Sequence, residues 1–110
     1  MDVLLSPWDI WECSWFPATL AQLSMPTISL FYGIVIAMFF NDHDPPHFHA
    51  RYAEHHARVA IETGDLLEGD LPPRAVRLVK EWAALHREEL EDDWRLAQAL
   101  HPLRPIEPLP

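Results

Sequence analysis

A segment of twelve residues, 41–52, could do chemistry: NDHDPPHFHARY contains three histidines, two aspartates and one arginine. Histidine nitrogens and carboxylate oxygens are common ligands of zinc and related ions. In an extended strand, alternate side chains share one face, which would place His47, His49 and Arg51 side by side and open to water. The polar residues of the preceding turn could fold back onto that face. A divalent metal site is therefore one interpretation of the segment. Its candidate ligands are His43, Asp44, His47 and His49.

The same segment allows two other interpretations. A histidine with a pKa near ~6.5 exchanges protons at neutral pH, and an arginine beside it could hold a phosphate. His47, His49 and Arg51 are thus catalytic candidates for a metal-free phosphodiesterase or ribonuclease. The same face could instead bind an acidic partner, or simply be a solvated strand surface. No HExxH motif and no paired cysteines accompany the segment, so whether the protein is an enzyme stays open.

Strand-like patterns surround this segment and must position it. The run IVIAMFF is short and rich in β-branched and aromatic residues, which predicts a buried strand in the interior of a sheet. The turn that follows contains two prolines. Phe48, Ala50 and Tyr52 then point inward, and Ala57 and Val59 do so on the next strand. The predicted strands are residues 34–40, 47–52, about 57–62 and 66–68.

After Gly69 the apolar period changes from two to that of a helix. Pro73 suits a first helical position, and Leu78 and Trp82 belong to an apolar stripe that predicts an amphipathic helix over residues 73–87. A weaker pattern continues to residue 100, as one kinked helix or as two. The predicted fold is α+β: a small antiparallel β-meander of three to four strands covered by a C-terminal helix or helix pair.

Length and composition narrow the classes of function. Residues 25–110 are predicted to form a single domain. Residues 1–24 are predicted to be an extra segment. This segment either packs its tryptophans on the domain or results from a translation start assigned too far upstream. A net charge of -9 disfavours a nucleic-acid partner, because affinity for nucleic acids depends on cationic contacts to phosphates. The longest apolar run is shorter than the ~20 residues that cross a bilayer. A single cysteine, Cys13, favours the cytoplasm.

Several motifs resemble the bacterial domain-of-unknown-function family 4160 over residues 25–109. The motifs are FYG at 31–33, HDPPHFH at 43–49, residues 61–64, residues 71–74, and the helix through Trp82 and His86. The resemblance implies a small bacterial interaction protein of a toxin-antitoxin-like two-gene module, with a small protein from the same operon, or a second copy of the chain, as partner. It implies no established activity. No cofactor is expected, except that a divalent metal is possible.

Overall fold

The computed structural model describes residues 26–110, so the predicted extra segment lies outside the described residues. Five strands precede two helices: β1 Thr27–Phe31, β2 Ile34–Ala37, β3 His47–Tyr52, β4 His55–Ala60, β5 Leu66–Gly69, α1 Pro73–Leu85 and α2 Arg87–Gln98. The strands form one antiparallel sheet in the order β1-β2-β3-β4-β5. The α+β prediction is confirmed, with one strand more than the larger number predicted.

The additional strand is β1, which a two-residue turn joins to β2. Tyr32 and Gly33 both have positive φ, at 51° and 79°. Two such residues in succession suit a tight hairpin, because their twist matches that of the flanking strands. Tyrosine rarely adopts this conformation, and it stands here in place of the asparagine of the usual Asn-Gly pair, so the sequence does not signal the turn. The second strand ends at Ala37 rather than at residue 40, because the chain leaves the sheet there.

The hydrophobic core lies between the sheet and α1. Trp82 is fully buried, and its ring centroid lies 5.7 Å from that of Phe48 on β3 and 5.3 Å from that of Phe31 on β1. Ala57 and Val59 on β4 are also fully buried, as their alternation predicts. One side of β3 therefore belongs to the core, and its other side is left for the histidines.

The helical region consists of two helices that meet at His86. The first begins at Pro73, at the position predicted, and ends at Leu85. His86 is half-buried, and its ring centroid lies 5.5 Å from that of Trp82. No helix in the described part of the chain is long and apolar enough to cross a membrane.

The proline-rich residues 103–110 complete the core. The backbone N–H of Ile106 donates to the carbonyl of Ile28 on β1 over 2.8 Å, and the indole N–H of Trp82 donates to the Glu107 carbonyl, also over 2.8 Å. Ile106 and Leu109 are buried. The tail therefore docks on β1 and on α1.

Truncation of Ile106 tests how much the docked tail stabilises the domain. Ile106→Ala should lower the free energy of unfolding by about 2–4 kcal/mol, because it removes buried apolar atoms and leaves a cavity. Urea denaturation measures this. Leu85→Ala is the matched control, since Leu85 is 63% exposed and its loss should change stability by less than ~0.5 kcal/mol. Equal effects of the two variants would show that the tail does not stabilise the domain.

Asp93 connects α2 to the tail from a buried position. It is 1% exposed, and its Oδ1 accepts the backbone N–H of Arg104 over 3.0 Å. Burial raises the pKa of Asp93 above its ordinary value, although the hydrogen bond from Arg104 opposes the shift. The folded state therefore favours the protonated carboxyl more than the unfolded state does.

Asp93→Asn should reveal this preference as a pH dependence. A carboxyl whose pKa is raised by folding stabilises the fold fully below its unfolded pKa, near 3.8, and that contribution is lost as pH rises through the folded pKa. The stability of the native chain relative to Asp93→Asn should thus fall in denaturation experiments as the pH rises above the ordinary value of 3.8. Asp92→Asn removes an exposed charge from the same helix and controls for net charge. A stability difference that stays constant with pH would contradict the assignment.

Candidate functional site

Two histidines of β3 converge on one carboxylate. The Nε2 atom of His47 lies 2.9 Å from Oδ2 of Asp42, and the Nε2 atom of His49 lies 3.3 Å from the same oxygen. The two histidines are on the same side of β3, opposite to Phe48, because side chains alternate along a strand. Asp42 belongs to the segment between β2 and β3. We refer to Asp42, His47 and His49 as the Asp-His cluster.

The prediction that His47 and His49 face water is wrong. They are 0% and 1% exposed, respectively. The ring of Phe39 stacks on that of His49 with centroids 4.1 Å apart, and the ring of Trp94 on α2 lies 5.3 Å from that of His47. The segment after β2 and the second helix thus cover this end of the strand. Alternation along β3 determines which face a side chain is on, but not what packs over that face.

The remaining predicted site residues lie outside the cluster. His43 is beside it, with its ring Nδ1 3.2 Å from Oδ1 of Asp42, and its side chain is 84% exposed. Asp44 is exposed. Arg51 is half-buried at the far end of β3, where its Nε donates to the carbonyl of Ala53 in the next turn. The structure therefore brings two of the four predicted metal ligands together and separates Arg51 from them.

Asp42 is the cluster member that the sequence prediction did not include. Two contacts from α2 hold its segment in place: the amide nitrogen of Gln98 donates to the Asp42 carbonyl over 2.7 Å, and the N–H of Asn41 donates to the Ala97 carbonyl over 3.0 Å. Both contacts join residues distant in sequence. The available signal was a carboxylate five residues before His47, in the same turn as Asp44, and spacing alone does not decide between the two acids.

The hydrogen bonds of His47 define which of its nitrogens carries a proton. Its Nδ1 lies 2.7 Å from the carbonyl oxygen of Pro45. A carbonyl only accepts, so Nδ1 must donate. In a neutral His47, the Nε2 atom then presents a lone pair to the carboxylate of Asp42. Two acceptors at 2.9 Å require a cation between them, either a second proton on the ring or a metal ion.

The electrostatics of the cluster favour a charged carboxylate. Burial acts to raise the pKa of Asp42, but the hydrogen bond from His49, the backbone N–H of His43 and the nearby charges of the two buried imidazoles together hold it well below its ordinary value. Burial lowers the pKa of His49, although its hydrogen bond to Asp42 opposes the shift. An anionic carboxylate is the form in which Asp42 would bind a metal ion.

The distances within the Asp-His cluster are close to those of a coordination sphere. One potential ligand atom from each residue lies within 4.8 Å of the other two. With metal–ligand distances near 2.0–2.1 Å, neighbouring atoms of a tetrahedral site are roughly 3.3 Å apart, which resembles the observed 2.9 and 3.3 Å. Two imidazoles on such an ion have ring centroids roughly 5 Å apart, and those of His47 and His49 are separated by 5.1 Å.

The comparisons with known proteins concern the same region. The model of a family described as a domain of unknown function, DUF4160, matches residues 33–95, more than half of the 110-residue chain. The match is narrower than the predicted 25–109, but it includes the whole Asp-His cluster. No curated protein and no solved structure matches the chain.

Removal of the Asp42 carboxylate tests whether the cluster stabilises the fold without metal. Asp42→Ala should lower the free energy of unfolding by about 1–3 kcal/mol, because the two buried Nε2 atoms lose the oxygen that they share. Denaturation in the presence of a chelator measures this protein-only effect. Asp44→Ala, at an exposed position in the same turn, should stay within ~0.5 kcal/mol of the native chain. Similar values for both variants would contradict a stabilising role of the cluster.

Proposed function

The chain belongs to the domain-of-unknown-function family DUF4160, and since that membership names no activity, we propose from the site itself that the protein is a metal-binding domain. The Asp-His cluster, Asp42, His47 and His49, binds one divalent transition metal ion of the zinc type. The observation that carries the proposal is the convergence of two buried imidazole nitrogens on a single carboxylate oxygen.

The buried groups of the cluster need a positive charge among them, which a metal ion would supply. A buried charge is costly unless it is paired and hydrogen-bonded. An ion between the carboxylate and the two nitrogens would satisfy all three at once. The bond from His47 Nδ1 to the Pro45 carbonyl adds support, because histidines that bind metals commonly donate their other ring N–H to a carbonyl or carboxylate. That bond leaves Nε2 as the ligand atom.

The ligand types favour a particular class of ion. Two imidazole nitrogens and one carboxylate oxygen suit zinc, iron, nickel or copper. Calcium and magnesium prefer sites made of oxygen atoms, so they fit this set less well. Zinc has no redox chemistry and accepts a tetrahedral arrangement, and the separations of 2.9 and 3.3 Å between Asp42 Oδ2 and the two imidazole nitrogens are near those of a tetrahedral site.

The other predicted functions receive less support from the site. A metal-free phosphodiesterase needs imidazoles that reach a substrate, and His47 and His49 are buried under Phe39 and Trp94. The interaction role in a toxin-antitoxin-like pair, with a small operon partner or a second copy of the chain, stays a prediction. The cytoplasmic location also stays a prediction, and the single cysteine supports it.

Elemental analysis of untagged protein tests the proposal. We expect near-stoichiometric zinc or another divalent transition metal after purification or after zinc loading and dialysis. Bound zinc should also stabilise the fold, by about 2.7 kcal/mol when its free concentration is 100 times the Kd, because an ion that binds only the folded state shifts the unfolding equilibrium. Asp42→Asn should lose most of the metal, since an amide is a poorer ligand than a carboxylate.

His101→Ala is the matched control for this experiment. His101 is exposed and lies outside the Asp-His cluster, so its removal should leave the metal content unchanged. The proposal is wrong if the native chain retains no metal and zinc does not change its unfolding. It is also wrong if zinc binds but Asp42→Asn and His101→Ala lose equal amounts, because the metal would then lie on other surface groups.

A further inference from the structure

The Asp-His cluster supplies three protein ligands, whereas structural zinc sites almost always have four. We propose that His43 supplies the fourth ligand and closes the site. The metal would then be structural: it would fasten the segment of residues 39–46 onto β3. This inference rests on the proposed function, because it concerns the same ion.

His43 already lies against the carboxylate that the cluster shares. Oδ2 of Asp42 faces the two buried imidazoles, and Oδ1 accepts the backbone N–H of His43 over 2.9 Å. The ring Nδ1 of His43 lies 3.2 Å from the same Oδ1. The carboxylate thus stands between the buried pair of histidines and the third one, with one oxygen toward each.

The movement that His43 needs is small. Its ring centroid lies 6.5 Å from that of His47, and two imidazoles on one tetrahedral ion are roughly 5 Å apart. The His43 ring must therefore approach the His47 ring by roughly 1.5 Å, and a change of side-chain rotamer moves a ring by more than this. The side chain is 84% exposed, so few packed neighbours hold it in its present rotamer. The two buried histidines, by contrast, are already at the required separation, 5.1 Å.

The other donors of the segment fit the fourth position less well. Asp44 is exposed, and it lies one residue further along the chain from the ligand Asp42 than His43 does. His43 is adjacent in sequence to the ligand Asp42, and its backbone N–H already fixes the turn. A set made of residues 42, 43, 47 and 49 is local in sequence, so the ion would close only short loops and would act chiefly on the geometry of this segment.

Cobalt(II) binding to the full chain distinguishes a closed site from an open one. Four-coordinate cobalt absorbs visible light much more strongly than five- or six-coordinate cobalt. The native chain should show the strong, tetrahedral absorption. His43→Ala should still bind cobalt through the remaining three ligands, but at least ~10-fold more weakly and with a shifted visible band, because a water oxygen would replace the imidazole nitrogen. Free imidazole should then restore the native band.

His55→Ala is the matched control, since His55 is also solvent-accessible but lies on β4, opposite Tyr52 at the far end of β3 and near Asp70. It should bind cobalt like the native chain. Unchanged affinity and absorption in His43→Ala would overturn the assignment of His43 while leaving the metal site intact. A native chain that binds no cobalt would overturn both proposals. The circular dichroism of His43→Ala should match that of the native chain, because the replaced side chain is outside the core.

Discussion

The carboxylate of Asp42 is the contact on which the arrangement around β3 depends. One of its oxygens is shared by two imidazoles that have almost no contact with water, and the other is held by His43. Each of these groups would be costly to bury alone. Together they form a polar unit beside the hydrophobic core. This unit also draws the segment between β2 and β3 back over the strand, so that the same contact builds the site and covers it.

The two sides of β3 divide the molecule into a core and a site. Phe48 points toward Trp82 and the hydrophobic core, while His47 and His49 point toward Asp42. A one-residue slip of the strand would exchange these roles and would place imidazoles against Trp82. The register of β3 with β2 and β4 therefore satisfies both the burial of Phe48 in the core and the contacts of the two histidines with Asp42. A metal ion at the cluster would reinforce this register, because it binds only one of the two faces.

Much of the fold follows from patterns that are local in sequence. Alternation assigns Phe48, Ala57 and Val59 to the core, and a helical period with Pro73 at its start locates α1. Alternation also places His47 and His49 together. The first strand is harder to predict, because its turn uses Tyr32 in a backbone conformation that tyrosine seldom adopts. Asp42 is harder still, since the contacts that position its segment come from α2, more than fifty residues later in the chain.

The amino-acid sequence by itself determined the α+β class, the family, and the shared face of the two strand histidines, because each depends on neighbours along the chain or on a motif. Tertiary structure alone decided that these histidines are buried and that Asp42 rather than Asp44 contacts them. It also decided that Arg51 lies at the far end of β3, against the Ala53 carbonyl. The physical reason is that burial and ligand convergence depend on which distant element packs over a face, here α2 and the segment after β2. Periodicity carries no information about that choice.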